Sequence, residues 1–112
     1  MKLIIVYITT SNLDEARLIG KDIIKERLAA CVNIFDGMHS MYWWEGTINE
    51  TSEAVIIAKT DQDLLPSLIE RVKSLHSYDC PCIVSIPVNG GNESYLKWLQ
   101  SEVNTESDQN EQ

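Results

Sequence analysis

The run Leu3-Ile4-Ile5-Val6-Tyr7-Ile8 constrains this chain more than any other segment. It is an unbroken apolar stretch rich in β-branched side chains. Successive side chains of a strand point to opposite faces, so a run of this kind needs cover on both. It therefore suits a central strand. Lys2 in front of it gives a superficial likeness to a secretory leader. The run is shorter than a leader's apolar region, however, and no small-residue cleavage site follows. The expected location is the cytoplasm. No segment approaches the roughly 20 apolar residues of a membrane span.

Downstream, strand and helix patterns alternate. Asn12 can cap a helix, with Glu15 three residues later as in a capping box. Leu13, Ala16, Ile19, Gly20, Ile23 and Ala30 recur at helical spacing, which predicts a helix to about Ala29. Cys31–Phe35 and Ser40–Trp44 read as strand, interrupted at Asp36-Gly37 by a bulge or turn. Glu45 to Asn49 reads as a turn region, and Ser52–Lys59 as the second arm of a long hairpin. Asp61 can cap a second helix, with a stripe of Leu65, Leu68, Ile69 and Val72 that ends near Leu75-His76. Ile83–Val88 is a further strand. Pro87 lacks an N–H, which places that strand at a sheet edge. Asn92 can cap a last helix from Glu93 to about Val103. Residues 104–112 are polar and acidic and are expected to form a disordered tail.

The order is βαββαβ plus a terminal helix, within 112 residues that fit one domain, 1–103. This order predicts an α+β, ferredoxin-like sandwich with both main helices on one sheet face. The strands are apolar on both faces, so the other face also needs cover, and oligomerisation is the economical source of it. Composition narrows the partners. There are 17 acidic against 9 basic residues, for a net charge of −8. Only three of the acids lie in the tail, so the folded part is acidic in its own right. No basic stripe is present to hold nucleic acid, and no basic amphipathic helix to favour a membrane. The odd count of three cysteines, with two of them only two residues apart, fits a reducing compartment better than a disulfide framework.

Five segments in register carry a family resemblance: Lys25–Asn33, Tyr42-Trp43-Trp44-Glu45-Gly46, Lys59-Thr60, His76–Pro81 and Tyr95–Leu99. Together they resemble the CutA divalent-cation tolerance family over residues 2 to about 103. The resemblance implies a ferredoxin-like fold and a tightly packed homotrimer built by pairing long hairpins edge to edge. It implies a role in tolerance of divalent metals, copper most often, without a known enzymatic activity. Metal-binding members have been associated with a Cys ending the first strand and adjacent histidines ending the second helix. Those positions here are Ile8, Leu75 and His76, so only His76 is kept. Cys82 stands where many members carry Glu, and Ser77 where the usual residue is Pro.

Two groups of residues are site candidates. His76, Cys80 and Cys82 concentrate soft and borderline ligands, and thiolate with imidazole suits Cu(I) or Zn(II). The alternative is structural, with the cysteines as small packing residues and His76 interacting with the helix dipole. Tyr42, Trp43, Trp44 and Glu45 are candidates for an interface or an intersubunit cleft, because aromatics anchor protein interfaces. Glu45-Gly46 is also the simplest turn. No nucleophile motif, phosphate loop or paired-His motif is present. The expectation is a non-enzymatic homotrimer that requires no cofactor, with copper or another divalent metal as its possible ligand. The alternative is a small-molecule sensor with its ligand in the intersubunit cleft, by analogy with trimeric nitrogen-regulatory proteins. An anionic effector would call for a basic cleft, with Lys59, Arg27 and Lys97 as the candidates.

Overall fold

The computed structural model describes residues 2–103; the tail expected at 104–112 lies outside them. The elements are β1 (Leu3–Thr10), α1 (Leu13–Lys25), β2 (Cys31–Trp44), β3 (Thr47–Asp61), α2 (Leu65–Leu75), β4 (Ile83–Pro87) and α3 (Glu93–Glu102). A short 3₁₀ turn, Gln62–Leu64, precedes α2. The four strands form one antiparallel sheet in the order β2-β3-β1-β4. This is the ferredoxin-like arrangement, with β1 central and β4, which carries Pro87, at an edge. Among the described residues no helix is long and apolar enough to cross a membrane.

Strand alternation sorts the sheet into two faces. Ile4, Val6 and Ile8 of β1 and Ala54, Ile56 and Ala58 of β3 pack under Ala16, Ile19 and Ile23 of α1 and Leu68 and Val72 of α2. Val6, Ile8, Ile19, Ile56, Leu68 and Val72 are fully buried there, and truncating one of the larger ones to Ala costs about 2–5 kcal/mol. On the opposite face, Leu3 packs with Leu99 of α3 and with Val103 just after it. Lys59 of that face donates to the Tyr95 hydroxyl at 3.3 Å. Thus α3 covers one end of the second face. The rest is open: Phe35, Val84 and Ile86 are each more than half exposed.

α1 stops at Lys25, four residues before the expected end. Arg27 has φ +60°. Its N–H bonds the Ile24 carbonyl and the Leu28 N–H bonds the Ile23 carbonyl, the paired bonds of a Schellman C-cap. Arg rather than Gly holds the left-handed position, which hides the stop from a sequence reading. The Arg27 side chain meets Glu102 of α3 at 2.8 Å.

β3 is also longer than expected and begins at Thr47. The turn is only Glu45-Gly46, with φ of +49° and +81°, as a two-residue type I′ hairpin turn requires. The polar residues after it are strand, because this part of the hairpin overhangs the body. Pairing of β1 with β3 ends at Thr10–Ala54, so Met38–Trp44 and Thr47–Glu53 form a free two-stranded arm. At its base lies the expected irregularity: Phe35 pairs with Val55 but Met38 with Glu53, leaving one extra residue in β2. Gly37 takes φ +72° there.

Candidate functional site

The bulge decides which side chains reach the open face. Beyond it, Met38, Ser40, Tyr42 and Trp44 share the face of Glu53, while Met41 and Trp43 turn the other way. Tyr42 and Trp44 thereby become one wall of a cavity of about 690 Å³ on the open face. Tyr7 and Thr9 of β1 and Glu53 of β3 line its floor, and Tyr78, Asp79, Cys80 and Cys82 of the α2–β4 loop form the facing wall. A hollow of about 730 Å³ also lies at the α1–α2 end, lined by Glu26, Glu70 and Arg71 among others. Arg71 is committed there to a two-point ion pair with Asp22. The open-face cavity is the candidate site because it gathers the aromatic and thiol side chains.

The α2–β4 loop is pinned from three elements. The Asn12 side chain caps α1 by accepting the Glu15 N–H at 2.8 Å, and Glu15 accepts from the N–H and hydroxyl of Ser11. The other Glu15 oxygen accepts the Ser77 N–H at 2.9 Å. Burial pushes the Glu15 carboxyl up, but the Ser11 and Ser77 donors outweigh it and hold the group below the usual carboxylate range. Tyr78 donates its hydroxyl to the buried Glu53 carboxylate at 2.8 Å. Burial first, and then the bond to Glu53, pushes the Tyr78 phenol well above its ordinary value.

His76 supplies the third tie. Its ring is fully buried. Nδ1 accepts the Tyr78 N–H at 3.0 Å, so Nε2 carries the proton and donates it to the Thr9 carbonyl at 2.7 Å. Neither nitrogen has a lone pair left for a metal. The set His76, Cys80 and Cys82 is therefore not a three-ligand site, and the imidazole is a structural clasp between the loop and β1. Among the described residues no three His, Cys, Asp or Glu side chains are grouped to hold a metal ion. In the single chain Cys80 and Cys82 are exposed free thiols, and Cys31 is half-buried.

The aromatic candidates separate as well. Tyr42 and Trp44 line the cavity. Trp43 lies on the other face of the arm beside Ile48 and is 71% exposed. Glu45 occupies the turn at the arm's tip and does not line the cavity. None of the candidate cations is there either. Lys59 meets Tyr95, Arg27 meets Glu102 and Lys97 meets Glu93. Sequence reasoning missed Glu15 and Glu53 as site residues. A lone carboxylate beside the apolar run Ala54–Ala58 is the signal that marks Glu53, because a buried charge needs a partner.

A ferredoxin-like sheet with an overhanging hairpin arm and an open-face cavity defines a class of small α+β proteins. The chain belongs to the CutA1 divalent ion tolerance protein family, whose pattern it matches over residues 4–102. It is 45% identical over 98 residues to "Protein CutA 1, chloroplastic" of Oryza sativa, covering 88% of this chain and 55% of that one. It therefore spans about half the length of that relative. It is 46% identical over 96 residues to the divalent-cation tolerance protein CutA of Thermus thermophilus, covering 86% and 93%. The crystal structure of CutA1 from Oryza sativa superposes with a TM-score of 0.92 at 42% identity, over 94% of this chain and 96% of that one.

Proposed function

We propose that the chain works as a non-enzymatic homotrimer of the cytosol that supports tolerance of divalent metal ions, copper among them. The observation that carries this reading is the uncovered apolar surface. Phe35, Val84 and Ile86 are exposed on the open face, and the arm is apolar on both sides, with Tyr42 and Trp44 on one and Met41, Trp43 and Ile48 on the other. Surface of this kind is normally covered by protein. β2 is in addition an edge strand of 14 residues, a template for pairing with another chain. Edge-to-edge pairing of three such hairpins would cover both the arm and the open face. The family name supplies the tolerance role.

Support for the absence of catalysis is chemical. Tyr78, one of three phenols lining the cavity, is shifted away from neutrality, and the His76 imidazole that clasps the loop has both nitrogens engaged. A general acid or base works best with its pKa near the operating pH. Free thiols, two of them exposed, fit a reducing compartment.

The test is growth of a strain of the source organism lacking the gene, in graded copper and zinc. Restoration by the parent chain, and not by a variant that fails to assemble, is the expected result. Equal sensitivity of deletion and parent strains would remove the tolerance role.

A second reading has one observation in its favour. The cavity joins Tyr7, Tyr42, Trp44 and Tyr78 with Glu53 and Asp79, and no Lys or Arg lines it. A sensor built on this cavity would take a cationic or neutral ligand, since aromatic faces and carboxylates attract cations. Thermal-shift screening of amines against phosphates and carboxylates separates the cases. Stabilisation by anions alone would count against it.

A further inference from the structure

The geometry points to Cys80 and Cys82 as a two-thiolate site for a soft monovalent cation, Cu(I), formed without His76. This deepens the metal reading above and departs from the divalent ions of the family name. Local backbone chemistry presents the pair. Pro81 fixes its own φ and disfavours helical geometry at Cys80, and the chain bends at Cys80 before β4 begins at Ile83. The Cys82 carbonyl accepts the Thr9 N–H at 3.2 Å, which continues the β1–β4 ladder one residue beyond Ile83 and sets Cys82 opposite Thr9. The two cysteines are separated only by Pro81, so their Cα atoms lie at most roughly 7 Å apart. Both thiols are exposed and both line the open-face cavity. Two exposed thiols this close in the chain, lining one cavity, can reach one ion by side-chain rotation.

The number of donors selects the metal. A third sulfur, Met38 Sδ, lines the cavity but already accepts the Tyr7 hydroxyl at 3.3 Å. Glu53 is engaged by Tyr78, and His76 by Thr9 and Tyr78. Structural Zn(II) sites call for four ligands, and no group of even three is present among the described residues. Cu(I) is stable between two thiolates in near-linear geometry, and soft sulfur ligands select it. Glu53 and Asp79 leave the cavity wall acidic, a field that favours a cation. In the binding step two S–H protons pass to solvent and two S–Cu bonds form, with no change of oxidation state.

The experiment is an anaerobic titration of the reduced full chain with Cu(I) against a chromogenic Cu(I) chelator. The expected result is one competitively bound Cu(I) per chain, with a thiolate-to-copper charge-transfer band in the ultraviolet. Both features should be lost in Cys80→Ser/Cys82→Ser and retained in folded His76→Gln. Equal affinity in the double variant, loss in folded His76→Gln, or no competitive binding by the parent chain would each overturn the site. The growth assay above reads the tolerance role separately. Cu(I) binding without a phenotype leaves the site standing and removes that role; a phenotype without Cu(I) binding does the reverse.

Discussion

Tyr78 and Glu15 hold the cavity loop in place, and each leaves a distinct mark on stability. Tyr78→Phe removes the donor to the buried Glu53 carboxylate, a loss of about 1–3 kcal/mol measurable by urea unfolding at neutral pH. The Tyr78 phenol is raised in the folded state above its ordinary value of 10. The unfolded chain therefore releases this proton first, and the contribution of Tyr78 is full below pH 10 and declines as pH rises above it. The phenylalanine variant should lack this alkaline decline. Glu15 has the opposite sign. Its folded pKa lies below the ordinary 4.5, so its contribution is present above that value and is lost as pH falls through the folded pKa. Glu15→Gln should be less stable than the parent at pH 7, with the gap closing in acid. A gap that widens in acid would contradict the assignment.

The hairpin β2–β3 sets the faces of the site through one bulge and one turn. Gly37 sits at φ +72° with nothing within 4 Å of where a Cβ would stand. Gly37→Ala should therefore cost about 1–2 kcal/mol through the backbone alone, read as a lowered urea midpoint. A neutral substitution would show that the left-handed conformation is not required. The bulge also explains which aromatics could be placed from sequence. Asp36-Gly37 is legible as an irregularity, but its count of one extra residue is not, and that count puts Tyr42 and Trp44 on the cavity face and Trp43 on the other. Trp44 is half exposed in the single chain, so Trp44→Ala should leave the fold intact and act on assembly. Truncating an anchoring aromatic at an interface costs on the order of 2 kcal/mol or more, which should appear as dissociation on dilution. A variant that stays assembled but loses a small ligand would favour the sensor reading.

At the scale of the molecule, the element order and the split between a helix-covered and an open face were legible because they follow from hydrophobic period alone. Leu3–Ile8 demanded two covered faces; α1 and α2 supply one, and α3 covers only one end of the other. What was not legible depends on contacts distant in sequence or on backbone conformations that residue type does not announce. The C-cap at Arg27 uses a non-glycine left-handed residue. The engagement of both His76 nitrogens depends on Thr9, 67 residues away, and this turns an apparent ligand into a clasp. The exposure of Cys80 and Cys82 follows from that loop path and not from their identity. The open face remains the feature that the single chain leaves unsatisfied, and sedimentation equilibrium of the full chain at micromolar concentration tests its role most directly. The account predicts one species at three times the chain mass, reduced to smaller species when Ile86→Glu or Val84→Glu puts a charge on that face. A stable monomer of the parent chain, with the apolar face left to solvent, would contradict it.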